Sequence, residues 1–238
     1  MIIYDEMKNQ ADLIVWWSKM LADAKHSYPL ADFSLLDKNF KMNVCVDIGC
    51  NIGAFSYLAS PHFKKVISFE PGYLTSVVAR TKINQKEKMK NVFIHNLAVG
   101  KNTGDILKLC CDVHDGNKNS GNSSVVYESS MNEYELTTTV SLEKVFELCE
   151  SDFIDYLKID CEGSEYDILL NKDLSNIGII VGEIHGHPVK NFEEAKKELL
   201  DHVSDNFNIV STKHNFFAIN KQFNIDPLKF FRGIVHEA

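Results

Sequence analysis

Short apolar runs alternate with stretches of helical spacing along most of this chain. Residues 44–48, 66–69, 92–97, 156–159 and 177–184 are compact runs rich in β-branched and aromatic side chains, and they read as buried strands. Between them, residues 54–59, 74–84, 142–149 and 192–202 place apolar positions three and four apart and predict helices. In the third of these, Leu142, Val145, Phe146 and Cys149 share one face, and Ser141 stands at the N-cap. The strand–helix–strand order implies an open α/β sheet with mainly parallel strands. Residues 208–211 and 216–220 predict a closing antiparallel hairpin.

Three stretches depart from this rhythm. Residues 1–42 read as a helical appendage whose Leu13, Trp16, Trp17, Met20 and Leu21 make an apolar face, suited to packing on the main domain, to a lid or to a homodimer contact. Residues 105–110 read as an extra strand, and the polar stretch 112–124, rich in Asn, Ser and Gly, is expected to be a flexible, substrate-facing loop. Residues 223–238 read as a tail holding Pro227 and the pair Phe230-Phe231, which leaves 43–222 as the domain proper.

Composition narrows the partners. A chain of 238 residues, 45% hydrophobic, can bury one large core. The net charge of −8 argues against nucleic acid and anionic membrane, and no apolar run is long enough to span a bilayer. The six cysteines (Cys45, Cys50, Cys110, Cys111, Cys149, Cys161) form no CxxC pair and no zinc spacing, so reduced structural thiols are expected. Residues 1–10 carry no basic-then-apolar leader, and a cytoplasmic protein, in the host cytoplasm if viral, is the expectation.

Candidate chemistry gathers at the carboxyl ends of the strands, where open α/β sheets bind ligands. The run from Asp47 through Gly49 and Asn51 to Gly53 is a strand-to-helix turn whose glycines let backbone approach a ligand. Its GxxxG spacing differs from the GxGxxG of a pyrophosphate loop, and the preceding acid suits a cationic or zwitterionic ligand. Glu70-Pro71 ends the second strand about twenty residues on, where a carboxylate can accept both hydroxyls of a ribose. Together these features point to S-adenosylmethionine, and Asn96 and Ala98, at the third strand end, are expected beside its adenine.

On the acceptor side, Asp160 and Glu162 follow the fourth strand, Gly163 permits a sharp turn, and Ser164 is expected to cap the next helix. Glu183 and His185 end the fifth strand, so the two sets meet at one rim. His185 is expected as general base, oriented through its other nitrogen by Glu183 or Glu162. A second version has Asp160, Glu183 and His185 holding a divalent cation, magnesium or manganese. Lys158 reads as a strand-edge residue, and His187, Pro188, His214 and Asn215 as neighbours of the cleft.

Over residues 44–220 the chain resembles the FkbM family of S-adenosylmethionine-dependent methyltransferases. The residues that carry the likeness are Val46-Asp47-Ile48-Gly49-Cys50-Asn51-Ile52-Gly53, Phe69-Glu70-Pro71, Asn96-Leu97-Ala98-Val99-Gly100, Gly121-Asn122-Ser123-Ser124, Leu157-Lys158-Ile159-Asp160-Cys161-Glu162-Gly163-Ser164-Glu165 and Glu183-Ile184-His185. The Lys-Ile-Asp-x-Glu-Gly-x-Glu string is close to a family signature. The resemblance implies an α/β, Rossmann-like class I methyltransferase fold with a mostly parallel, seven-stranded sheet in the order 3-2-1-4-5-7-6. It also implies methyl transfer to oxygen, often a sugar hydroxyl of a glycan or glycosylated small molecule. Asp47, Gly49, Asn51, Gly53, Glu70, Pro71, Asn96, Ala98 and Asp160 are then the cofactor residues, and Asp160, Glu162 and His185 the catalytic ones. The rival readings are an RNA ribose or other non-carbohydrate acceptor, a nicotinamide-dependent oxidoreductase, and a non-catalytic cofactor-binding module.

Overall fold

The computed structural model describes residues 42–84, 89–114, 117–124, 134–186 and 189–231, together with Lys19, Leu21 and Ala22. Strands β1 (Val44–Ile48), β2 (Lys65–Phe69) and β3 (Val92–His95) lie parallel, joined through helices α1 (Ala54–Ala59) and α2 (Tyr73–Asn84). All five residues of β1 are buried, as a strand covered on both faces requires. The chain then builds a second sheet from β4 (Ala98–Val99), β5 (Ile106–His114), β6 (Asn117–Ser124) and β7 (Tyr134–Val140), in the order β4-β7-β5-β6. Helix α3 (Leu142–Cys149) leads back to β8 (Ile154–Ile159), which pairs with β1. Helix α4 (Glu165–Leu169), β9 (Ile177–Glu183), α5 (Phe192–Ser204), β10 (Phe207–Ser211), β11 (Asn215–Asn220) and the short α6 (Pro227–Phe230) complete the described chain.

The main sheet runs β3-β2-β1-β8-β9-β11-β10, and β11 alone is antiparallel to its neighbours. Its numbering differs from the expected order because β4 to β7 intervene in the chain; counted within this sheet alone, it reads 3-2-1-4-5-7-6. The expected hairpin at the end of the sheet is β10-β11, with Phe207 opposite Asn220.

Two apolar clusters cover the two faces. On one, Leu142, Val145 and Cys149 of α3, Ile168 and Leu169 of α4, and Leu199 and Val203 of α5 pack on Val46, Leu157 and Ile180 of the strands. On the other, Phe55 and Ala59 of α1 meet Cys45, Tyr156, Ile179 and Phe217. Phe230 and Phe231 join that second cluster, and the Phe231 ring lies tilted against that of Phe217 with centroids 5.1 Å apart. The described part of the segment after Phe223 therefore closes one face of the sheet.

The sequence reading of 112–124 as a flexible loop is corrected by the backbone. Asp112 to His114 continue β5, and Asn117 to Ser124 pair with it in antiparallel register as β6. Cross-strand hydrogen bonding makes this polar stretch a strand where its side-chain pattern gives no such signal. The apolar face of residues 1–42 and the pair His187-Pro188 lie outside the described residues, apart from Lys19, Leu21 and Ala22, which are helical. No described helix is long and apolar enough to cross a membrane.

Capping divides the two polar helix starts. Ser141 accepts a hydrogen bond from Lys144 N at 3.4 Å and so caps α3 as expected, whereas Ser164 makes no side-chain cap on α4. Ser141→Ala is expected to lower unfolding free energy by about 1 kcal/mol, read as a shifted denaturant midpoint at constant slope.

Candidate active site

The turns that leave β1, β2 and β8 build one cleft. Gly49 has φ +73, and a Cβ there would stand 1.7 Å from the Asp160 carbonyl oxygen. The turn after β1 is thus packed backbone against backbone on the end of β8, with Asp160 N donating to Ile48 O at 3.1 Å. Gly49 N and Cys50 N both donate to Phe69 O at 3.0 Å, which ties the same turn to β2.

Glu70 leaves β2 into this cleft. Its Oε2 accepts from Asn51 N at 2.9 Å and its Oε1 from Gly72 N at 2.8 Å. Burial pushes the carboxyl up to about 7, against the pull of those two N–H groups. Asn96 Nδ2 donates to the carbonyl oxygens of Glu70 and Pro71 (3.0 and 2.8 Å), so it braces the turn and does not line the cleft. Asn51 does line it, and its Oδ1 is buried without a hydrogen-bond partner among the described residues. Gly53 sits behind, as the left-handed N-cap of α1.

The cleft is partly open to solvent, and about 70 Å³ of it is free to the centre of a water-sized molecule. Gly49, Asn51, Glu70 and Pro71, from the turns after β1 and β2, line it together with Asp160, Cys161, Glu162 and Ser164 from the turn after β8. Ala98, Val99 and Leu109, from the second sheet, complete the lining as an apolar wall. Glu135 Oε2 of β7 accepts from Tyr73 N at 2.9 Å and clasps that wall to the start of α2.

After β8, Glu162 (φ 52) and Gly163 (φ 107) turn the chain through left-handed backbone, a strained arrangement for a glutamate. Four carboxylates surround one imidazole there. His185 Nδ1 lies 2.8 Å from Glu165 Oε1, and the same oxygen accepts from Cys161 N and Gly163 N at 3.2 Å. His185 Nε2 faces Glu162 Oε2 at 3.4 Å, Glu183 Oε1 at 3.9 Å and Asp160 Oδ1 at 4.0 Å. Tyr166 OH donates to the His185 carbonyl oxygen at 3.0 Å and steadies the exit of β9. Burial alone would push His185 down. The hydrogen bond and charge of Glu165, with the charges of Glu162 and Asp160, outweigh it and raise the imidazole to about 9. Burial pushes Glu162 up to about 7; His185 opposes the rise, and the neighbouring acids add to it.

These shifts set a pH dependence of stability. A raised folded value means that a group's contribution is complete below its unfolded value and is lost as pH climbs through the folded one. For Glu70 and Glu162 that window runs from 4.5 to about 7, and for His185 from 6.5 to about 9. Urea unfolding is expected to show stability falling steadily across both windows; a protein more stable above pH 9 than below pH 5 would contradict these assignments.

Several sequence expectations change here. Asp47 is fully buried beneath the turn, where its Oδ1 pairs with Lys158 Nζ at 3.2 Å and its Oδ2 accepts from Ser56 Oγ at 2.6 Å, so it does not line the cleft. Lys158 is no strand-edge residue, since β8 lies between β1 and β9 and the side chain is 4% exposed. The group that orients His185 is Glu165, visible in the sequence only as the last acid of the signature string. His185 and Glu183 stand at the rim just outside the cleft lining, whereas Asp160 and Glu162 are part of it. Asn215 lies opposite Glu183 in the β11–β9 ladder, and His214 O accepts from Ile184 N at 2.6 Å, which sets that turn beside the rim. One ligand atom from each of Asp160, Glu183 and His185 falls within 4.8 Å of the others.

Comparison with known proteins adds the family. No curated protein sequence matches the chain. Among solved structures it is similar to methyltransferase FkbM from Methylobacillus flagellatus KT, at 13% identity and a TM-score of 0.47, over 75% of this chain and 43% of that one. It is similar also to M. capricolum TrmK in complex with S-adenosylhomocysteine, at 14% identity and a TM-score of 0.41, over 79% of this chain and 63% of that one. The chain thus spans less than two thirds of either protein. A methyltransferase from Geobacter sulfurreducens aligns over 92% of this chain and 94% of its own, at 14% identity and a TM-score of 0.44. The model of the methyltransferase FkbM domain matches residues 47–214, which take in the cleft, its acid rim and most of the main sheet, and the chain accordingly belongs to the FkbM methyltransferase family.

Proposed function

We propose that this chain transfers a methyl group from S-adenosylmethionine to a sugar hydroxyl of a glycan or glycosylated small molecule. The observation that carries this reading is the cleft lined by Glu70 together with Asp160 and Glu162. The residues fit the cofactor: Asn51, a lining residue, has a buried Oδ1 acceptor with no partner among the described residues, and the acids suit a ligand bearing amino and sulfonium charges. Glu70 would accept from ribose hydroxyls, while Asp160 would face the amino group. When bound, the cofactor supplies a methyl carbon already activated by the sulfonium for in-line displacement.

The chain's own work is then to seat a hydroxyl and remove its proton. Glu162 suits that task, because it lines the cleft and its carboxyl, lifted by burial, stands near neutrality. His185, held as a cation by Glu165, balances the charge of the rim and fixes Glu162 across 3.4 Å. This moves the base from His185, the sequence expectation, to its neighbour. The test is an assay with labelled cofactor against glycans, free sugars and small RNAs. Carbohydrate labelling is the expected result; transfer to RNA or protein alone would sink the sugar acceptor, and no cofactor binding would sink the whole reading.

The spacing of Asp160, Glu183 and His185 favours a second version, in which they bind magnesium or manganese and so lower the pKa of the acceptor hydroxyl. Manganese titrated into the protein would then give an altered spin-resonance spectrum, lost in Glu183→Gln. Full activity in excess chelator would remove this version.

A further inference from the structure

A polar rung crosses the centre of the sheet beneath the donor turn. Ser68 on β2, Asp47 on β1 and Lys158 on β8 are register neighbours, all buried, and Ser56 Oγ of α1 reaches both Asp47 Oδ2 (2.6 Å) and Ser68 Oγ (2.9 Å). At the end of the rung, Lys158 Nζ lies 3.2 Å from Asp47 Oδ1 and donates to Gly49 O at 2.8 Å and Ile48 O at 3.4 Å. It also stands 3.8 Å from Asp160 Oδ2. One ammonium, with three donors and no acceptor, thus touches the donor turn of β1 and the acid that begins the acceptor rim.

We propose that Lys158 is a positioning residue that sets the span between the donor turn and Asp160. The inference rests on the donor reading given above. The Gly49–Cys50 peptide is pinned at both ends, its carbonyl by Lys158 and its N–H by Phe69 O at 3.0 Å. That fixes the plane of the peptide leading into Asn51, while the same ammonium holds the Asp160 carboxylate toward the turn. Stability alone does not account for the arrangement, because replacing a buried ion pair by apolar groups is often neutral or stabilising, whereas removing one partner leaves a costly charge.

That asymmetry supplies the test. Lys158→Met leaves Asp47 buried and unpaired, and is expected to lower stability; the double variant Asp47→Asn/Lys158→Met removes both charges and is expected to regain the denaturation midpoint of the parent. If Lys158 positions the site, the double variant still binds S-adenosylmethionine about tenfold more weakly by calorimetry. Its kcat on the labelled acceptor stays about 100-fold low, the loss that a misplaced reacting group brings. Ser68→Ala is the control within the same rung: it is expected to lower the midpoint while leaving donor affinity and kcat at parental levels. Recovery of affinity and kcat together with stability in the double variant, or an equal loss of affinity in Ser68→Ala, would overturn the role of Lys158. Absence of binding by the parent protein in the same titration would overturn the donor reading and this inference together.

Discussion

Gly49→Ala is expected to cost the protein its donor cleft. At φ +73 a side chain adds about 1–3 kcal/mol of backbone strain, and here the added carbon would also overlap the Asp160 carbonyl oxygen at 1.7 Å. That neighbour is backbone at the end of a central strand, so relief comes only by lifting the β1 turn off β8. Lifting it breaks the hydrogen bond from Asp160 N to Ile48 O and moves Asn51 away from Glu70. Cofactor affinity should fall by about tenfold or more, the loss of one or more backbone contacts to the ligand, along with a lower unfolding midpoint. Calorimetric titration of the variant checks this, and affinity within about twofold of the parent would show that the turn is looser than its packing implies.

Glu162→Gln is expected to separate chemistry from binding. The amide keeps the size and the turn but takes no proton, so kcat should drop by about 10²–10⁴-fold while cofactor affinity stays the same. In the parent, kcat at saturating cofactor should fall as pH drops through about 7 and Glu162 is protonated, and that limb should vanish in the variant. A variant within about tenfold of parental kcat would move the base elsewhere, with Asp160 the lining acid next to Glu162.

The sheet was readable from its apolar runs because buried parallel strands leave continuous β-branched segments, as in β1 and β9. The site was readable as places, since glycines and acids at strand ends have few other reasons to occur together. What escaped was partnership. A lysine within the apolar run of β8 reads as an edge residue until the register sets it beside Asp47. Glu165 reads as an acid in a first helical turn, and only the fold brings His185, twenty residues on, to its oxygen. β6 escaped for the opposite reason, because its strand character comes from pairing with β5 and leaves no mark on a polar sequence.

The second sheet carries a consequence for how such a fold can change. Ala98 and Val99 run beside Thr139 and Val140 in parallel register, at the spacing of about 4.8 Å between paired strands. The chain therefore leaves the main sheet and re-enters it at one point. Insertion, deletion or exchange there can remodel the wall at Leu109 without altering how Glu70 stands to Asp160. The turns that carry Glu70 and Asp160 and the wall at Leu109 are thus separate parts of the fold, and the second can vary while the first stays in register.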